Sequence, residues 1–563
     1  SDVYKRQLLF HGSLLVILVG AMITFIGSKK GYVHLLPGAT IDSFLESESG
    51  RKADLPFTIQ LDSFRIAYYP GTEAPADYIS YITYSLPGQK NVLLHEQISM
   101  NRIFTSQGFR FYQSSFDDDG KGSWLTVNYD PWGTGVTYAG YILLGLSMIW
   151  LLFSRSSDFR RLLNHPLLKK GGVFILFIFC LAGNMQAQKK LLPALKRTQA
   201  DSLAQEQVIY HDRVVPFNTL ARDFIQKLTG EASYKGLTPE QVIGGWLLYP
   251  EVWRNEPLIY IKNTELQHLL NLQTPYARLT DLFDGSVYRL REHWQREQGQ
   301  QNKLAKAIQE TDEKVGLILM LEKGTFIHPL PTDGSVQPLS ELEVKAELLY
   351  NRIPFSKILF MINLSLGVLS FLLLLHNSLQ RNILSLKAKT ISRTAGTFFS
   401  VALYLAFIFH LAGYCLRWYI GGRIPLSNGY ETMQFMALCI LLIACLLHRR
   451  FSFILPFGFL LSGFALLVSY LGQMNPQITP LMPVLVSPWL SIHVSLIMMS
   501  YALLAFIMLN GILALCLRKK ESENNVSGND AIQDNRIEQL TLVSRLLLYP
   551  CLLYTSPSPR DYA

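Results

Sequence analysis

Long apolar runs alternate with polar stretches along most of this chain. Crossing the roughly 30 Å hydrocarbon core of a membrane takes roughly 20 apolar residues in a helix. Seven runs come close to that length or exceed it, at about 8–27, 137–154, 356–376, 396–416, 431–448, 451–470 and 494–517. A shorter run at 172–186 resembles the core of a signal peptide as well as a span, and we favour a span. A ninth run begins near Leu542.

The polar stretch 28–136 has the pattern of a β-rich domain. Apolar and polar residues alternate within it, as at 57–61 and 125–129, with Pro and Gly between such runs. A period of two places alternate side chains on opposite faces of a strand, so that one face can be buried. We therefore expect a small domain of strands after the first span.

The polar stretch 187–355 carries helix signals instead. Thr238 and Ser340 are each followed three residues later by Gln or Glu, which is the spacing of a capping box. Before Gly230, four apolar residues share one helical face, namely Phe217, Leu220, Phe224 and Leu228. We expect a mainly α-helical domain here.

Composition favours a polytopic α-helical membrane protein, with about eight spans plus a truncated ninth. Hydrophobic residues make up 49% of the 563 residues and charged residues only 17%, which excludes an ordinary soluble protein. The formal net charge is +9, and the basic residues cluster beside the apolar runs, at 155–171, 377–394, 448–450 and 518–520. Membrane topology explains this clustering better than a nucleic-acid partner does, and it predicts that these four segments are cytoplasmic.

The same membrane topology predicts on which side of the membrane the remaining segments lie. Residues 28–136 and 187–355 become extracytoplasmic domains, and the short loops 417–430 and 471–492 lie on the same outer side. Residues 137–186 then form two transmembrane helices joined by a basic cytoplasmic loop. The loop 471–492 contains no Lys or Arg, which agrees with an outer position.

Residues 1–7 and 551–563 resemble translated sequencing-adapter read-through, and the chain lacks an initiator Met. We therefore interpret 8–550 as the protein and expect it to be a fragment at both ends. The six cysteines form no CxxC pair, so neither a thioredoxin-like motif nor a zinc site is indicated.

Three of the twelve histidines are candidates for chemistry, because imidazole is a common metal ligand and polar groups in a span are costly. His493 stands at the outer mouth of a span. It either reaches a flat ligand, with Trp489 available for stacking, or belongs to an interfacial aromatic belt. His410 lies about two turns inside its span. It either binds a ligand or forms a hydrogen bond to a neighbouring helix. His11 lies at the cytoplasmic end of the first span.

The outer loop that follows Arg417 is the most specific string in the chain. Gly, Pro, Ser and Asn build a turn that an arginine and a glutamate bracket at the entrance to the next span. The motif residues are Arg423, Pro425, Asn428, Tyr430 and Glu431. Such a loop either orders a polar head group or merely closes a hairpin.

These strings resemble a known family. From Arg417-Trp418-Tyr419 to Tyr430-Glu431, and again at 489–494, the chain is similar to the ResC/CcsA half of system II cytochrome c biogenesis. The first span with His11 and the β-rich stretch resemble the ResB/CcsB half. Together they suggest a fused CcsBA-type protein over 8–550, in which 28–136 is ResB-like and 356–550 is a truncated ResC/CcsA-like transmembrane domain.

The resemblance implies a multi-pass protein of the bacterial inner membrane with both outer domains in the periplasm. In that family, haem b passes a pair of transmembrane histidines and is then held outside between two histidines that flank a tryptophan-rich loop. His493 and His11 would each supply one axial ligand to the haem iron. Trp489 and His410 are further cofactor-binding candidates, and no residue is assigned a catalytic role. The tryptophan-rich loop and the second histidine of each pair would lie beyond residue 550.

The implied cargo and partners are haem, apocytochrome c with its CxxCH thiols, thiol-reducing proteins and membrane lipid. Haem export followed by ligation to apocytochrome c is the function we expect, with a haem lyase activity of the full-length protein left open. Two alternatives stay open as well. One is a haem or small-molecule transporter without a ligase role, and the other is a membrane scaffold that docks apocytochrome c.

Overall fold

The computed structural model describes residues 2–153, 192–379 and 386–551, apart from short gaps at 48, 70–73, 87–88, 286, 292–301, 333, 335, 450, 452, 472–473, 475, 484–485 and 524–529. The predicted span 172–186 lies outside the described residues. The chain forms two compact units, which are described separately below. The first unit comprises 1–68, 75–177 and 355–563, and the second comprises 69–74 and 178–354.

Long helices dominate the first unit. Numbered in chain order over the described residues, they are α1 Asp2–Gly27, α2 Gly133–Phe153, α10 Phe355–Leu379, α11 Leu386–Gly421, α12 Gly429–Leu447, α13 Ile454–Leu471, α14 Pro488–Glu523 and α15 Asp530–Cys551. Over the described residues, six helices are long and apolar enough to cross a membrane, namely α1 and α10 to α14. Six of the seven predicted full-length runs are thus helices with the length and composition that a membrane span requires. The seventh, 137–154, coincides with α2.

An eight-stranded antiparallel sheet lies between α1 and α2, which confirms the β-rich prediction. Its strands are β1 Lys29–Leu35, β2 Thr40–Glu46, β3 Lys52–Tyr68, β4 Pro75–Leu86, β5 Gln89–Ser99, β6 Phe104–Ser106, β7 Phe109–Phe116 and β8 Ser123–Tyr129. Their spatial order is β5-β4-β3-β2-β1-β8-β7-β6. Alternation buries Phe57, Ile59 and Leu61 of β3 together with Leu125 and Val127 of β8 in one apolar core.

The sheet and the first two helices are joined through adjacent strands. Helix α1 runs into β1 and β8 runs into α2, and β1 pairs with β8 along its whole length. The two helices consequently pack against each other. Asp130 links them, because its carboxylate accepts hydrogen bonds from the Thr24 hydroxyl of α1 at 2.8 Å and the Gly133 amide of α2 at 2.8 Å.

Helices α10 to α15 form a bundle with a shared apolar core. Helix α13 packs against α10 and α12, and α14 packs against α12 and α15. Within the core, buried aromatic and aliphatic side chains meet, including Leu403, Ile440, Phe459, Phe506 and Val543. The end of this bundle formed by residues 417–430 and 474–493 carries the predicted motif residues and is called here the motif end.

The second unit is mainly helical, as predicted. Its helices are α3 Arg197–Leu203, α4 Phe217–Thr229, α5 Pro239–Leu248, α6 Pro250–Trp253, α7 Thr264–Leu269, α8 Lys303–Glu322 and α9 Glu341–Arg352. Short strands accompany them, namely β9 Gln207–Tyr210, β10 Arg213–Pro216, β11 Ile259–Tyr260, β12 Tyr276–Ala277, β13 Phe283–Asp284, β14 Val287–Tyr288 and β15 His328–Pro329.

Local sequence signals explain the helices of this unit. The four apolar residues predicted to share a face of α4 are all buried, and Gly230 ends that helix in the left-handed conformation, with φ of 79°. At the start of α9, the Glu343 amide donates to the Ser340 hydroxyl at 3.3 Å. The Ser340 amide donates to the Glu343 carboxylate at 2.7 Å. This reciprocal pair is the predicted capping box.

Candidate functional site

Helix α12 begins at the motif end with a capped first turn. The Asn428 side chain accepts the Glu431 amide at 2.9 Å, and Asn is among the best residues for this capping position. Glu431 in turn accepts the Ser427 amide at 2.8 Å and the Ser427 hydroxyl at 2.7 Å. A carboxylate in the first turn also interacts favourably with the helix dipole. These contacts fix the backbone of the motif loop directly before the helix.

Two arginines hold the same carboxylate. Arg417 Nε lies 3.0 Å from Glu431 Oε1, and Arg423 Nη1 lies 3.1 Å from Glu431 Oε2. The side chain of Glu431 is only 1% exposed and that of Arg417 only 2%, whereas that of Arg423 is 15% exposed. Buried charges of this kind are stable only when paired and hydrogen-bonded. The three residues are called here the arginine–glutamate cluster.

The arginines of this cluster also bind the segment that leads into α14. Arg417 donates to the carbonyls of Pro476 at 2.7 Å and Gln477 at 3.0 Å. Arg423 donates to the carbonyl of Thr479 at 3.0 Å. Because guanidinium donors are arranged in a rigid fork, the contacts fix one loop relative to the other. The cluster therefore joins the two loops of the motif end.

A chain of hydrogen bonds runs from Tyr430 to His410. The Tyr430 hydroxyl lies 2.6 Å from that of Ser356, which accepts a hydrogen bond from the Gln434 side chain at 2.9 Å. His410 Nε2 donates to the Gln434 carbonyl of α12 at 2.9 Å. A hydrogen bond to a neighbouring helix, one of the two interpretations of His410, is therefore present. His410 Nδ1 is buried without a hydrogen-bond partner among the described residues.

His493 and Trp489 lie one turn apart at the start of α14. A spacing of four residues places the two side chains on the same face of the helix. The Trp489 side chain is 78% exposed, and His493 is half-buried. Eight residues further along α14, Tyr501 is 44% exposed. The arrangement offers an indole and an imidazole on one face of the helix, one turn apart.

His11 lies apart from these groups on α1, where it is exposed and meets the Phe10 ring edge-on at 5.4 Å. A cavity of about 350 Å³ opens on the neighbouring residues of α1, including Gly12 and Val16, and on Leu143 and Trp150 of α2. Within the described part of the chain, no hydrogen bond, ion pair or ring contact links His11 to His410 or His493.

A side chain of the sheet domain contacts the motif end. Asn101, in the turn after β5, donates its side-chain amide to the carbonyl of Pro483 at 2.8 Å. Pro483 belongs to the segment that the cluster arginines bind at Pro476 to Thr479. The contact agrees with the predicted topology, in which the β-rich domain and the loop 471–492 share one side of the membrane.

Sequence reasoning named Arg417 and the motif residues but missed what they bind. The acceptors in the second loop are backbone carbonyls, which every residue carries, so no residue type marks them in the sequence. Ser356 and Gln434 were missed as well, although polar residues inside apolar runs are a usable signal.

Two segments of the chain match models of known protein families. The family model described as ResB-like matches residues 6–166, and the one described as Cytochrome C assembly protein matches residues 426–553. Protein NrfI of Wolinella succinogenes is 31% identical over 523 residues, which cover 79% of this chain and 57% of that protein. The chain thus spans little more than half the length of this relative.

Shorter stretches of the chain are similar to proteins named CcsA. The cytochrome c biogenesis protein CcsA of Chlamydomonas reinhardtii is 34% identical over 132 residues, covering 21% of this chain and 37% of that protein. The protein of the same name from Prochlorococcus marinus is 38% identical over 94 residues, covering 16% of this chain and 30% of that protein.

Proposed function

We propose that this chain exports haem for cytochrome c biogenesis, because residues 6–166 match the ResB-like family model and residues 426–553 match the Cytochrome C assembly protein family model. The cargo is haem b, taken up on the cytoplasmic side of a bacterial inner membrane. It is presented on the periplasmic side to the CxxCH thiols of apocytochrome c. The CcsA relatives carry cytochrome c biogenesis in their names, which supports this assignment.

The pairing of His493 with Trp489 is the observation that carries the proposal. Haem iron is already held by four porphyrin nitrogens, so a protein needs to supply only axial ligands, and imidazole is a common one. A half-buried imidazole beside a largely exposed indole suits a flat ligand at the mouth of the helices. Around His493, the described residues form no group of three or more His, Cys, Asp or Glu side chains that could hold a bare metal ion.

His11 would contribute to a second haem site, within the membrane. The cavity next to it measures about 350 Å³ and its lining is apolar, as the porphyrin body requires. His410 is the other transmembrane candidate, since its Nδ1 is buried and takes no hydrogen bond from a described residue. The geometry favours His11 over His410 for entry of haem, because His11 is exposed on its helix and His410 is enclosed.

Substitution of His493 tests the outer site. The protein expressed from the complete parent gene is purified as wild type and as His493→Ala, and the haem bound per protein is measured from the Soret absorbance. We expect His493→Ala to lose most of the haem and imidazole added to the buffer to restore part of it, because free imidazole can occupy the vacated axial position. Equal haem content in the two proteins would remove His493 from the site.

A matched control is available in the sheet domain. His95 lies 3.5 Å from the Asp62 carboxylate, and its side chain is 78% exposed. His95→Ala therefore removes an exposed imidazole elsewhere in the same unit, and haem content should stay unchanged. The complete gene should also encode a tryptophan-rich loop and two further histidines after residue 550, and their absence would contradict the proposal.

A further inference from the structure

The arginine–glutamate cluster carries an excess of positive charge. It contains two guanidinium groups and one carboxylate, Glu431. Across the segments 417–431 and 471–492, the sequence holds no other Asp, Glu, Lys or Arg, so neither loop supplies a second carboxylate. The N-terminus of α12, a helix of 19 residues, adds further positive potential at the same place.

Arg423 is the member of the cluster that can take another partner. Its guanidinium group has five N–H donors, and the described contacts use one on Nη1 for Glu431 and one on Nη2 for Thr479. Its side chain is 15% exposed, whereas that of Arg417 is 2% exposed. The remaining donors of Arg423 are therefore the accessible ones.

Space for a ligand lies directly beside this arginine. Gly422 adopts a positive φ of 62°, and apart from its two chain neighbours no described residue lies within 4 Å of the position that a Cβ atom would occupy there. The neighbouring Ile424 side chain is 40% exposed and offers an apolar contact. A ligand at this position would meet a guanidinium fork on one side and an aliphatic surface on the other.

We propose that Arg423 binds an anionic carboxylate of the cargo and thereby recognises one propionate group of haem at the motif end. This inference rests on the proposed function, because it takes the cargo to be haem. A planar carboxylate matches the guanidinium fork in two parallel hydrogen bonds, and charge-assisted bonds of this type are among the strongest in proteins. A phosphate of a membrane lipid has related anionic oxygens and is the competing source of the ligand.

Two forms of the cargo separate carboxylate recognition from a structural role. The protein expressed from the complete parent gene is titrated with haem and with haem dimethyl ester, which has no free carboxylate. We expect Arg423→Gln to weaken haem binding about tenfold, the effect of losing a hydrogen bond to a charged group. The affinity for the dimethyl ester should be the same in Arg423→Gln and wild type. A structural role would weaken both ligands equally and would overturn the proposal.

Matched variants complete the experiment. Arg254→Gln is the control, because Arg254 forms a comparable two-bond pair with Glu322, at 2.8 and 2.9 Å, in the other unit of the chain. It should leave both affinities unchanged. Arg423→Lys keeps the charge without the planar fork, and we expect an intermediate haem affinity. If Arg423→Gln does not fold, an unchanged haem affinity of Arg423→Lys would overturn the proposal.

The remaining outcomes distinguish this inference from the proposed function. If Arg423→Gln lowers the amount of anionic lipid that co-purifies, measured by native mass spectrometry, but changes neither porphyrin affinity, the ligand is a lipid and the inference is wrong. If His493→Ala abolishes haem binding while Arg423→Gln leaves it unchanged, only the inference fails. If the wild-type protein binds no haem, both fail.

Discussion

At the scale of single residues, Asp130 shows how one buried carboxylate organises two helices. It is 4% exposed and accepts hydrogen bonds from Thr24 of α1 and from Gly133 and Thr134 of α2. Desolvation alone would raise the pKa of this carboxyl group, but the hydrogen bonds from Thr134, Thr24 and Gly133 outweigh it and hold the pKa below the ordinary value. The charged form is therefore the one that joins the helices.

Asp130→Asn should destabilise the protein and change its dependence on pH. The amide can still accept the Gly133 bond, but its NH₂ group cannot accept the two hydroxyl donors, which should cost about 1–3 kcal/mol. A lowered pKa contributes stability above the ordinary value of 3.8, and that contribution is lost as the pH falls through the folded-state pKa. Thermal unfolding of both proteins at several pH values measures the effect.

The difference between wild type and Asp130→Asn should therefore be constant near neutral pH and should shrink in acid, where the wild-type group becomes neutral. Asp130→Ala serves as the comparison, because it also removes the acceptor for the Gly133 amide and should be less stable than Asp130→Asn. Equal unfolding temperatures of all three proteins at neutral pH would contradict the role assigned to Asp130.

Residue types with a local signature could be predicted, and partners distant in sequence could not. Ser340 with Glu343 forms a capping box whose two members lie three residues apart, so their spacing alone identifies it. The contact from Arg423 to the carbonyl of Thr479 joins positions 56 residues apart. Only the folded chain brings such positions together. His493 lies between these cases, since its position at the start of a helix could be predicted from the sequence and its role as a haem ligand stays a prediction.

At the scale of elements, α1 and α2 pack closely because a glycine lies at their contact. A Cβ atom at Gly20 would lie 2.3 Å from the Thr137 hydroxyl oxygen and 2.6 Å from the Thr137 backbone nitrogen. Backbone cannot move aside as a flexible side chain can. Small residues at such positions are the usual means by which membrane helices approach each other.

Gly20→Ala should therefore force the two helices apart. Overpacking of this kind typically costs about 1–3 kcal/mol, and we expect a lower unfolding temperature of the purified protein. Gly145→Ala is the matched control on α2, since outside the adjacent backbone of α2 no described atom lies within 4 Å of its Cβ position. Its effect should stay within about 0.5 kcal/mol. If both variants unfold at the same temperature, the close packing at Gly20 is not what holds the pair.

Apolar runs located the helices better than they located the helix ends. Helices α11 and α14 each contain 36 residues, more than the predicted spans 396–416 and 494–517. Hydropathy identifies only the part of a helix that is apolar enough to lie in the hydrocarbon core of a membrane. The backbone hydrogen bonds of the helix continue into the flanking polar residues. Helix α15 likewise begins at Asp530, ahead of the apolar run that starts near Leu542.

At the scale of the whole molecule, the sheet domain and the helix bundle meet at the motif end. Asn101 of the sheet domain binds Pro483, and the cluster arginines bind Pro476 to Thr479 in the same segment. The segment thus connects the ResB-like part of the chain to the helix that carries His493.

Covalent attachment of haem to a substrate protein tests the proposed function of this chain. The complete parent gene is expressed with a periplasmic CxxCH reporter in cells that lack their own cytochrome c maturation system. The haem that stays on the reporter after denaturing electrophoresis is then quantified. We predict covalent haem with the wild-type protein and a strong reduction with His493→Ala. A reporter without covalent haem, despite a folded and haem-loaded wild-type protein, would contradict ligation and leave a transporter alone.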